Sequence, residues 1–181
     1  MNTAPLDAEA AYAALRAALA ETLAAQPERR IHLIGIHSGG AWVARRLHLD
    51  LKLPTPLGAL SSAFHRDDYG RRGLPAEMKA TDLPFEIGGA DIVLVDDILY
   101  TGRTVRAALN ELFDFGRPAR VELAVLLDRG GRELPIEARY CGARHALRPG
   151  QSFVLSHVPE PAPAGRFRLV IEDQELQPAA R

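Results

Sequence analysis

The residues that most restrict the fold are Ile92, Val93, Leu94 and Val95, four branched apolar side chains in a row that run into two adjacent carboxylates, Asp96 and Asp97. A segment apolar on both faces fits the centre of a parallel sheet, where helices cover both sides. After a short stretch of hydroxyls and glycine, apolar residues return at helical spacing over residues 104–115, until Gly116 and Pro118 stop the pattern. Residues 121–127 form a second apolar run. Strand, helix and strand at this spacing define an α/β fold, with a central, mostly parallel sheet flanked by helices.

The rest of the chain extends the same alternation. Tyr12, Leu15, Leu19 and Leu23 recur at three- and four-residue intervals among alanines, which predicts a helix across residues 7–26 that Pro27 ends. Residues 31–36 read as a strand, His37, Ser38, Gly39 and Gly40 as a tight loop, and Trp42, Val43, Arg46 and Leu47 as the next helix. A further apolar run covers residues 57–64. Residues 65–89 carry arginines, prolines and glycines without periodicity and are too long for a plain connection, so they are read as a flexible loop that covers a site. Short apolar runs at residues 138–141, 153–158 and 167–171 are read as small strands, giving a hood and C-terminal strands over residues 138–173. The 181 residues make one domain, with its N-terminal helix inside residues 1–30.

Charge and cysteine content narrow the functions. With 22 basic against 23 acidic residues the net charge is -1, so no global field gathers nucleic acid or a membrane surface. An RNA partner would need a local patch, for which Arg45, Arg46, Arg144 and Arg148 are the candidates. The single cysteine, Cys141, forms no disulfide within the chain and has no companion for a zinc site. No secretion signal or membrane span is evident, so a cytoplasmic protein is expected.

In an open α/β sheet, ligands bind beyond the carboxyl ends of the strands, and amides at a helix start attract phosphate. Thr101, Gly102, Arg103 and Thr104 stand at such a helix start and are expected to hold a monophosphate. Asp96 and Asp97 lie beside that charge and would repel it directly, so they suit sugar hydroxyls or a magnesium ion. A phosphorylated ribose meets both requirements.

The string V-D-D-I-L-Y-T-G-R-T-V-R-A-A-L, from Val95 on, resembles the phosphoribosyl diphosphate signature of type I phosphoribosyltransferases. Together with G-R-P-A at residues 116–119 and D-R-G-G-R-E-L-P-I at residues 128–136, it is similar to one branch, the PyrR family of pyrimidine operon regulators that are also uracil phosphoribosyltransferases. The resemblance implies the fold of that superfamily and a reaction in which uracil and phosphoribosyl diphosphate give UMP and pyrophosphate. It implies that Asp96 and Asp97 bind the ribose hydroxyls and that Thr101, Gly102, Arg103 and Thr104 cradle the 5-phosphate. His37, Ser38 and Gly39 match the pyrophosphate loop, where an unusual peptide geometry presents amides to the leaving group. Arg66 matches the start of the mobile catalytic loop, and Asp128, Arg129, Tyr140 and Cys141 would lie near the base. Mg2+ would arrive with the substrate, near Asp96 and Asp97, without a cage of protein ligands. The resemblance also implies a homodimer or higher homo-oligomer and a pyrimidine mRNA leader as partner.

This chain departs from the family pattern at three places. Ser38 and Gly39 replace threonine and arginine, and Gly131 replaces a histidine. Two alternatives stay open at this level: transfer to another base, a purine or orotate, and a nucleotide-sensing RNA-binding attenuator with little turnover.

Overall fold

The computed structural model describes residues 6–61, 80–158 and 165–173. Helix α1 (Ala8–Ala25) starts where the Asp7 carboxylate accepts the amides of Glu9 (2.9 Å) and Ala10 (3.2 Å), satisfying donors that a helix start leaves open. Strand β1 (Ile31–Ile36), helix α2 (Gly39–Asp50) and the short strand β2 (Gly58–Leu60) follow. Strand β3 (Asp91–Leu99), helix α3 (Arg103–Asp114), strand β4 (Arg120–Asp128) and strand β5 (Tyr140–Arg144) complete the alternation.

The five strands lie in the order β2, β1, β3, β4, β5, and every pairing is parallel. Leu94, at the centre, stands opposite Ile34 on one side and Leu123 on the other. On one face α1 and α2 pack Leu15, Leu19, Val43 and Leu47 against Leu33, Val93, Val95 and Leu126. On the other, α3 packs Val105, Ala108 and Leu112 against Ile34, Ile92, Leu94 and Val125. Burial on both faces is the reason the central strands carry no alternation of apolar and polar residues.

Strands β6 (Gln151–Val158) and β7 (Arg166–Asp173) form a separate antiparallel hairpin. A two-stranded hairpin needs outside support, and α1 and α2 supply it through Leu155 and Phe167, which enter their apolar cluster. Arg46 fastens this joint. Both ends of its guanidinium donate to Glu9 at 2.7 Å, and its plane lies 4.0 Å from the Tyr12 ring centre. Glu9 also accepts the Phe167 amide at 2.8 Å. The Arg46 hydrogen bond outweighs burial and holds the Glu9 carboxyl below its ordinary range.

Several sequence expectations change here. Arg46 is an internal clamp, which removes it from the expected surface patch. Trp42 stacks on His157 at 5.8 Å, a contact that joins α2 to the hairpin. Residues 138–173 divide, with β5 added to the main sheet and β6 and β7 standing apart from it. The expected flexible loop also shortens: Asp82 pairs with Ala59 through both backbone groups (2.8 and 2.9 Å), and Leu83, Phe85 and Ile87 pack on the α3 side. Its remainder, with Arg66, lies outside the described residues.

At the amino ends of the strands Arg29 closes the sheet. It donates to both Asp91 oxygens at 2.7 Å and to Glu122 at 2.8 Å, and Glu122 also accepts the Tyr140 hydroxyl at 2.8 Å. Burial alone would raise the Glu122 carboxyl, but the Arg29 and Tyr140 hydrogen bonds outweigh it and hold the group below its ordinary range.

Candidate active site

At the opposite, carboxyl edge the close approach of α2 to β3 depends on glycine. A Cβ on Gly35 would fall 2.4 Å from the Ala41 Cα, and one on Gly40 would fall 2.4 Å from the Val95 carbonyl. One on Gly39 would fall 2.0 Å from an Asp97 carboxylate oxygen. The start of α2 therefore rests on the end of β3, with the Asp97 charge at the positive end of the helix. The loop before it turns through a cis peptide between His37 and Ser38. The His37 amide donates to the Leu60 carbonyl at 2.9 Å, tying the loop to β2.

Strand alternation sends Asp97 to the α2 face with Val95 and Asp96 to the α3 face with Leu94. Asp96 is buried at 5% exposure and accepts the Asp97 amide at 2.9 Å, while Asp97 accepts the Ile98 amide at 3.0 Å. The two acids thus flank the strand end. Beyond them, Gly102 takes φ +92°, which opens α3 with its first amides facing the carboxyl edge. Thr101 is buried, and its Oγ1 accepts the Arg103 amide at 3.3 Å. The Arg103 side chain leaves this turn and pairs with Glu133; Thr104 is half-buried on the first turn of α3.

A cavity of about 790 Å³ opens beside this turn, at the ends of β4 and β5, with Asp128, Arg129, Arg132, Ile136, Arg144 and His145 in its lining. Burial alone would raise the Asp128 carboxyl, but hydrogen bonds from Arg132 (2.6 Å) and the Gly130 amide (2.9 Å) outweigh it and hold the group below its ordinary range. Arg129 lies 3.9 Å from the centre of the Tyr100 ring. That ring occupies the space beside Gly131, where a Cβ would fall 2.5 Å from it.

The structure brings Asp96, Asp97, Thr101, Gly102, Thr104 and the His37, Ser38, Gly39 loop to one edge, with Asp128 and Arg129 at the adjoining cavity. It does not bring Tyr140 there. Tyr140 is buried at the far end of β5, with its hydroxyl on Glu122. Cys141 packs against the α3-side cluster, and burial pushes its thiol up. Tyr140 stands away from the carboxyl edge, whereas Cys141 interacts with the Asp128 backbone and the Arg144 side chain, both in the cavity lining. Arg132 and His145 were missed. His145 reads in sequence as part of a solvated turn, yet its amide is held by the Asp128 carbonyl at 2.9 Å and its ring meets Phe153 edge-on.

Among the described residues no helix is long and apolar enough to cross a membrane. Residues 3–146 match the family described as the phosphoribosyl transferase domain. The bifunctional protein PyrR of Ralstonia nicotianae is 52% identical over 172 residues, covering 95% of this chain and 98% of that protein. That of Nitrosococcus oceani is 47% identical over 153 residues, 83% and 86% of the two chains. The solved hypoxanthine-guanine phosphoribosyltransferase hpt-2 of Bacillus anthracis superposes with a TM-score of 0.61 at 20% identity, over 84% of this chain and 88% of that one, a likeness of fold. The sequence match and the arrangement at the carboxyl edge agree: this chain belongs to the phosphoribosyltransferase family, in the branch of the bifunctional PyrR proteins.

Proposed function

We propose that this chain transfers the phosphoribosyl group of phosphoribosyl diphosphate to uracil, giving UMP and pyrophosphate. The observation that carries the reading is the seating of the His37, Ser38, Gly39 loop on Asp97, beside the Thr101 turn and the 790 Å³ cavity. Asp96 and Asp97 hold the ribose hydroxyls, the amides and hydroxyls of Thr101, Gly102 and Thr104 hold the 5-phosphate, and the cavity around Asp128 and Arg129 receives the base. In the transfer, the bond from the anomeric carbon to pyrophosphate breaks, a bond to a uracil ring nitrogen forms, and that nitrogen's proton passes to solvent. Charge grows on the leaving group, where the amides of Ser38 and Gly39 and the Arg66 side chain stabilise it. The carboxylate oxygens of Asp96 and Asp97 suit Mg2+ arriving with the substrate, which would supply charge neutralisation for the leaving group.

Pyrophosphate release from phosphoribosyl diphosphate and magnesium tests the reading, with uracil set against hypoxanthine, guanine, adenine and orotate. Turnover with uracil alone, lost in Asp97→Asn, is expected. Turnover with a purine or orotate instead would replace uracil in the reading, and none with any base would overturn transfer. A pyrimidine leader RNA is the proposed second partner, through a surface that includes the exposed Arg45, Arg144 and Arg148. A homodimer or higher homo-oligomer is proposed as well; filter binding with that RNA, with and without UMP, checks the RNA partner and light scattering the self-association.

A further inference from the structure

The Arg132 side chain joins parts of the site that are far apart in sequence. Its Nε donates to the Ile136 carbonyl at 2.9 Å. One terminal nitrogen donates to the Tyr100 carbonyl at 2.8 Å, and the other to the Asp128 carboxylate at 2.6 Å. Tyr100 directly precedes the phosphate turn, while Asp128 and Ile136 both line the cavity. One planar group therefore spans the end of β3, the end of β4 and a further segment of the cavity wall. It is largely enclosed, with 23% of its side chain exposed.

We propose that Arg132 is a positioning residue for the transfer, holding the base cavity at a fixed distance from the phosphate turn. This inference rests on the reading of the cleft as a phosphoribosyl and base site. Bond formation between ribose and base needs both reactants near contact distance, and a displacement of about 1 Å can cost about 100-fold in rate. The phosphate turn does not itself depend on Arg132: the Glu133 and Leu134 amides donate separately to the Thr101 carbonyl, at 3.0 and 3.2 Å. Removing the guanidinium thus frees Asp128 and the Ile136 wall while residues 133–134 stay fastened. Lysine could keep the pairing with Asp128, but its single ammonium cannot reach three divergent acceptors as the planar fork does.

The test compares the unaltered protein with Arg132→Gln and Arg132→Lys. It measures steady-state kinetics with uracil, calorimetric affinity for UMP and for ribose 5-phosphate, which lacks the base, and the thermal midpoint. For Arg132→Gln, kcat/KM for uracil is expected to fall about 30- to 100-fold. UMP should weaken about 10-fold and ribose 5-phosphate less than about 2-fold, since only the link between the subsites is lost. Arg132→Lys, which keeps the ion pair and so guards against simple unfolding, should restore the midpoint without restoring kcat/KM. Equal weakening of UMP and ribose 5-phosphate in a variant would mark a purely structural role and overturn the proposal. So would full activity in either variant. Failure of the unaltered protein to bind UMP would instead overturn the underlying reading.

Discussion

The two ends of β3 carry acids in opposite situations. At the amino end Asp91 meets Arg29 at 2.7 Å on both oxygens, within a group that Glu122 and Tyr140 complete. At the carboxyl end Asp97 faces the glycine-cleared start of α2 and its neighbour's amide. The first end is closed by charges that satisfy one another, which fixes the register of three strands and the approach of the α1 to β1 connection. The second sets Asp97 against the start of α2 and the Ile98 amide, an arrangement a ligand's hydroxyls can join. The same residue type on the same strand thus serves stability at one end and the site at the other.

Substitutions at the two ends should therefore separate stability from activity. The largest kinetic effect is expected from Gly39→Ala: its Cβ would overlap the Asp97 carboxylate, and displacement of that group should lower kcat/KM by about 100-fold or more. Its thermal midpoint should move less in proportion. Arg29→Met should do the reverse, costing about 3–5 kcal/mol of stability in urea unfolding by stranding two part-buried acids, with kcat/KM per folded molecule unchanged. Loss of activity in folded Arg29→Met would break the contrast.

Acid sharpens the comparison. Because Glu122 titrates below its ordinary 4.5 in the folded state, its contribution is fully present above that pH and is lost as pH falls through the folded value. The stability gap between the unaltered protein and Arg29→Met should then narrow below about pH 4.5, measured by urea unfolding at several pH values. The smallest effect belongs to Glu133→Gln. Its pair with Arg103 is about half exposed on both sides, and solvent screening should leave a stability change under about 0.5 kcal/mol.

The β3, α3, β4 unit was legible because each segment carries its own pattern: apolar runs, a helical repeat and a Thr-Gly turn. Helix α1 was legible for the same reason, and Asp7 marks its start. The Arg29 group was not legible, since Arg29, Asp91, Glu122 and Tyr140 come from four segments and share no spacing rule. Arg46 reads as a solvated cation in an exposed helix pattern, and only the docked hairpin turns it inward. Tyr140 lies far from the carboxyl edge, and sequence cannot say how far along β5 that edge lies. The cavity at the ends of β4 and β5 was partly legible through Asp128 and Arg129, whereas Arg132 and His145 depend on how residues 128–146 fold back.

The seating of the Tyr100 ring against Gly131 bears on how this chain can evolve. Gly131 sits at φ +74° and the ring fills the volume its side chain would need, so the two positions are not independently mutable. A larger residue at 131 needs both a type that accepts a positive φ and a smaller or displaced side chain at position 100. In a library randomised at both sites, survivors should pair bulk at one with smallness at the other, and the order in which the changes arise should decide which lineages persist.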